Sequence, residues 1–136
     1  MSESTHEPLV LLDRKDEYAI ITLNRPNQRN AMNRAAQSEM RAALNATRDC
    51  KAVVITGAGP AFCAGIDLKE SRDLRLQGTE REYAHGSNSW VETNEAVRKH
   101  PAAMIAAVNG FALGGGLTLP HNCDLAIASE QAQFGR

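Results

Sequence analysis

The sequence predicts an α/β fold in which parallel strands are joined by crossover helices. Three observations point there. From residue 51 onward, apolar β-rich runs alternate with helical stretches in the order strand, helix, strand, helix, strand. Two of these strands run into glycine-containing turns, "ITGAGPAFCAG" and "AAVNGFALGGG". No repeat or linker interrupts the 136 residues, so residues 1–136 are read as one unit.

The elements follow in order. "LVLLDRKDEYAIITL" reads as a hairpin, with "DRKDE" as its turn. "NRPNQRNAMN" is a polar connection stiffened by Pro26. A helix is expected over 34–48, where Met40, Leu44 and Thr47 fall at helical spacing among alanines. "KAVVITG" is a buried strand. "PAFCAGIDLKES" is a compact loop that opens a helix at Asp67. Residues 71–89 are polar with scattered Leu and Tyr and carry no firm assignment. "SWVETNEAVRKH" is helical and stops before Pro101. "AAMIAAV" and "CDLAIAS" are two further strands, and the glycine run lies between them.

Composition narrows the function. Hydrophobic residues make up 43% and charged residues 23%, with a formal net charge of -1. That balance argues against a general nucleic-acid surface. No apolar run is long enough for a membrane span, and "MSESTHEPL" lacks the apolar core of a signal peptide. Cys50, Cys63 and Cys123 sit too far apart in sequence to suggest a disulfide framework or a metal-ligand pair. A reducing, cytoplasmic compartment is the simplest reading.

The glycine turns are the candidate site. Glycine costs conformational entropy, so a run of three needs a reason. One reason is a tight helix–sheet contact. Another is close approach of a ligand to backbone N–H groups. In parallel sheets, ligands gather beyond the carboxyl ends of strands, so both turns can face one pocket. Two N–H groups, one from each turn, would then hold a developing oxyanion, as in a thioester carbonyl passing to an enolate. Neither turn carries a dinucleotide or P-loop fingerprint.

"ITLNRPNQRNAMN", "ITGAGPAFCAGIDLKE" and "AAVNGFALGGGLTLPHNCDLAIASEQAQFG" together resemble the crotonase family, also called the enoyl-CoA hydratase/isomerase superfamily. The resemblance implies a crotonase-like spiral of ββα units, here truncated on its C-terminal side. It implies an acyl-CoA thioester as substrate, with coenzyme A part of that substrate and no separate cofactor or metal. Matching motif to motif, the oxyanion donors are Ala64 and Gly115. Arg25, Gln28, Arg29 and Asn30 resemble the CoA-contacting edge. The backbone of Ala64, Gly65, Ile66 and Asp67 would lie along the thioester arm. A homo-trimer or hexamer is implied for the full-length form.

Two departures bear on chemistry. Hydratases of the family carry a glutamate where this chain has Thr118. Thr118 shares a helical face with Gly115, and its hydroxyl either orients water or substrate or bonds the local backbone. The family's second glutamate would follow Arg136. Apolar surface is expected to be exposed if the chain ends at Arg136. Among other side chains, Asp67 is read as a helix cap, Asp124 as a group fixing the start of a strand, and His121 as a surface or packing residue. Cys63 is read as a small buried packer. The cluster of Arg25, Arg29 and Arg34 suits either a phosphate or a solvated face. Two functions stay open: an acyl-CoA hydratase/isomerase, or a non-catalytic CoA-binding or interaction module.

Overall fold

The computed structural model describes residues 7–78 and 80–135; the polar stretch 1–6 lies outside them. The chain rises as a staircase of strand pairs. β1 (Val10–Arg14) and β2 (Tyr18–Leu23) form the expected antiparallel hairpin. α1 (Arg34–Ala46) follows, capped by Asn33, whose side chain accepts from Ala36 N–H. Then come β3 (Ala52–Gly57), β4 (Ala61–Cys63), α2 (Leu68–Leu76) and α3 (Glu80–Arg98). β5 (Ala103–Val108) and β6 (Phe111–Leu113) lead into a 3-10 turn, Gly114–Leu117, and a short α4 (Thr118–Asn122). β7 (Leu125–Ala128) and β8 (Gln133–Gly135) end the described chain.

Each pair divides its strands between two sheets. The larger sheet has the order β1-β2-β3-β5-β7, parallel apart from the hairpin. The smaller has the order β4-β6-β8 and is parallel throughout. The sequence shows the larger sheet and hides the smaller one. Three-residue strands such as "AFC" and "FAL" are too short to display a period of two, so they read as loop. The glycine turns therefore end β4 and β6 rather than β3 and β5.

The core lies where the larger sheet meets the helices. Ala19, Ile21 and Leu23 from β2, Val53 and Ile55 from β3, and Met104, Ala106 and Val108 from β5 are buried on alternate positions. Met40 and Leu44 of α1 close over them, and the expected Thr47 is also buried. Arg41 of α1 donates to the Ser89 carbonyl and to the hydroxyls of Ser89 and Thr93, which ties α1 to α3. Asp124 holds the start of β7 as expected: its carboxylate accepts Met104 N–H at 2.7 Å, and its own N–H donates to Met104 O. Leu125 is 62% and Ile127 68% exposed on β7. Among the described residues, no helix is long and apolar enough to cross a membrane.

His100 carries a pH dependence. It is buried after α3, and its Nδ1 accepts Ala102 N–H at 3.1 Å. Nδ1 is therefore unprotonated, and Nε2–H donates to Leu44 O at 2.9 Å. Burial lowers the His100 pKa first of all, with nearby Arg48 acting in the same direction and the Leu44 bond opposing it. The folded state thus resists a proton that the unfolded chain accepts near pH 6.5. Stability contributed by the neutral ring is complete above about pH 6.5 and is lost as pH falls below it. Thermal melts from pH 7.5 down to 5.5 should show a falling Tm, and His100→Gln should flatten that slope.

Candidate active site

The two glycine turns touch. A Cβ on Gly65 would lie 2.9 Å from Gly115 N and 3.2 Å from Gly116 N, and one on Gly116 would lie 2.0 Å from Cys63 O. Any side chain at these points would collide with backbone. Gly65 also has φ +91, a conformation that L side chains rarely adopt. The glycines thus let the ends of β4 and β6 approach more closely than side chains allow.

The backbone donors of the first turn sort themselves by partner. Ala64 N–H donates to Arg29 O at 3.0 Å, Gly65 N–H to Cys63 Sγ at 3.3 Å, and Asp67 N–H to Met32 O at 3.1 Å. Ile66 N–H has no hydrogen-bond partner among the described residues. The N–H of Ala64, expected as an oxyanion donor, is held by the polar connection before α1. Ile66 N lies 3.6 Å from the position a Cβ would occupy on Gly115. Gly115 itself is in the first turn of the 3-10 segment, where N–H groups have no partner within the helix. The unengaged donors of the two turns, Ile66 and Gly115, are neighbours in space.

The side chains around this pair have mostly structural duties. Asp67 caps α2, accepting from Lys69 N–H and Glu70 N–H, and forms a largely buried ion pair with Arg25 at 3.1 Å. Arg25 also donates to Ala31 O. Asn30 is fully buried at φ 57, accepting from Arg25 N–H and donating to Ala58 O and Ala61 O. Its side chain, expected along the CoA-contacting edge, is turned inward and braces the loop. Gln28 and Arg29 are exposed, and the Arg29 guanidinium lies 5.7 Å from the centre of the Phe111 ring. Thr118 folds back: its hydroxyl donates to Gly115 O at 2.5 Å, the local of its two open roles. Pro120 sits in the first turn of α4, where a missing N–H costs little. His121 is exposed.

Cys63 is inert. Burial pushes its thiol up to about 12. Folded protein treated with iodoacetamide near pH 8 should carry no label at Cys63 by peptide mass mapping, whereas denatured protein should. Among the described residues, no group of three His, Cys, Asp or Glu could hold a metal ion. Clefts of about 390 and 500 Å³ flank α1, but no residue of either turn lines them.

A family profile described as enoyl-CoA hydratase/isomerase matches residues 13–136. The chain belongs to the enoyl-CoA hydratase/isomerase family. Its crotonase-like fold is that of a solved enoyl-CoA hydratase from Mycobacterium smegmatis, with TM-score 0.86 and 36% identity, covering 94% of this chain and 50% of that one. The Pseudomonas aeruginosa protein AtuE is comparable, at TM-score 0.86 and 39% identity over 93% of this chain and 50% of its own. Among curated relatives, the mevalonyl-coenzyme A hydratase sidH of Aspergillus fumigatus is 38% identical over 119 residues, 85% of this chain and 43% of that protein. The mitochondrial Delta(3,5)-Delta(2,4)-dienoyl-CoA isomerase of Homo sapiens is 35% identical over 142 residues, 97% of this chain and 43% of that protein. This family member thus spans about half the length of such relatives and matches both a hydratase and an isomerase.

Proposed function

We propose that this chain binds an acyl-CoA thioester with its carbonyl oxygen between the N–H groups of Ile66 and Gly115, in a site that stabilises an enolate. The observation that carries this is the pair of unengaged backbone donors on two touching turns. Donors held in place by sheet ends need no reorganisation as charge develops on the oxygen. Exposed Gln28 and Arg29 flank the first turn and suit the phosphate-bearing end of CoA. Hydration, isomerisation and hydrolysis share this enolate step, and the placement of a base chooses among them. Three free cysteines accord with a cytoplasmic setting, and a trimer or hexamer is the assembly proposed for a full-length form.

A second reading, a CoA-binding module without turnover, is favoured by one observation. Thr118 supplies no base, its hydroxyl bonds Gly115 O, and Asp67 is held by Arg25. Only the first reading needs the carbonyl site. Calorimetric titration should therefore show acetyl-CoA binding about tenfold tighter than the thioether S-ethyl-CoA, which lacks the carbonyl. Equal affinities would remove the proposal.

A further inference from the structure

Trp90 lies in α3 and is the chain's only tryptophan. It is 6% exposed, and its Nε1 is buried with no hydrogen-bond partner. A buried indole N–H ordinarily has one, because leaving it unpaired carries the full cost of removing it from water. Its location is informative. The position a Cβ would take on Gly115 is 3.1 Å from Trp90 Nε1 and 3.6 Å from Ile66 N. The indole N–H therefore lies against the Gly115 backbone, close to the Ile66 amide.

We propose that the Trp90 indole N–H is a third donor to the thioester oxygen, alongside the amides of Ile66 and Gly115. A neutral carbonyl oxygen has two lone pairs and is satisfied by two donors. An enolate oxygen carries a full charge and accepts a third. The indole therefore adds most where charge has developed, which is the condition for a catalytic rather than a binding contribution. Its position is fixed from two sides. The Arg41 guanidinium grips Ser89 next to it, and Asn94 Nδ2 donates to the Trp90 carbonyl at 2.9 Å. Asn122 then bridges Asn94 to the Thr118 carbonyl, linking the turn that carries Trp90 to the helix that follows the glycine run. Packing alone accounts for a buried ring, but not for an unpaired N–H placed against Gly115.

This inference rests on the acyl-thioester reading, and the experiment separates the two. The probe is acetoacetyl-CoA, whose enolate is followed by its ultraviolet absorbance as pH is varied. Bound to the parent chain, its apparent enolisation pKa should fall below that of the free ligand. Trp90→Phe, which keeps the ring and loses the N–H, should raise the bound value by about one unit, a tenfold loss of enolate. In parallel, the single indole N–H resonance of ¹⁵N-labelled parent protein should move downfield when acetoacetyl-CoA is added, a readout that does not depend on the variant folding. An unchanged enolisation pKa in a folded Trp90→Phe chain, or an unmoved indole resonance at saturating ligand, overturns the role of Trp90 while leaving the two-amide site intact. No shift of the ligand's pKa on the parent protein overturns the acyl-thioester site itself, and the third donor with it.

Discussion

Gly116→Ala should unfold at much lower denaturant concentration than the parent, with a loss of about 3 kcal/mol or more. The added methyl would stand 2.0 Å from Cys63 O and 2.7 Å from Cys63 C. Both atoms are backbone, so no rotamer change relieves the contact. Relief requires the end of β4 to move away from the 3-10 turn, which separates the two halves of the candidate site. Gly114→Ala is the matched control. Gly114 has φ +54 but nothing within 4 Å of its vacant position. That substitution should cost only the left-handed strain, about 1 kcal/mol. Urea titrations of the three proteins measure the difference. Equal losses at the two glycines would mean that the approach of the turns is looser than described.

Asn30→Ala should be comparably damaging, at about 3 to 5 kcal/mol. The side chain makes three bonds from a fully buried position: from Arg25 N–H at 2.8 Å, and to Ala58 O and Ala61 O at 2.9 Å each. Alanine leaves one donor and two acceptors without this partner and adds strain at φ 57. Asn30→Gly removes the bonds but not the backbone freedom, so it should recover about 1 kcal/mol of the loss. A full recovery with glycine would show that conformation, not bonding, is the main role of Asn30. Against a total stability of about 5 to 15 kcal/mol for a small domain, both of the large losses approach unfolding.

These two residues also show where sequence is legible. The hairpin, α1 and the strands of the larger sheet carry long apolar patterns, and those patterns survive because each element buries one continuous face. The cap at Asp67 reads correctly because its partners, Lys69 and Glu70, are local. The first part of the stretch 71–89 resists assignment because α2 has no buried side chain to impose a helical pattern. The smaller sheet is hidden by its three-residue strands. The free amide of the first turn falls two residues beyond Ala64 for a different reason. Whether an amide is free depends on a partner far away in sequence, here Arg29 O engaging Ala64 N–H. The inward turn of Asn30 is hidden in the same way, since its partners Ala58 and Ala61 lie across the fold. The glycine triplet says that backbones meet; only the fold says which N–H groups are left over.

The most direct test of that last statement is an amide titration. In a ¹H–¹⁵N spectrum of the assigned chain, adding acetyl-CoA should move the Ile66 and Gly115 amide protons downfield, as each gains a carbonyl partner. The Ala64 amide, already bonded to Arg29 O, should move little. Movement of Ala64 with a stationary Ile66, or no selective response at either turn at saturation, would contradict the site.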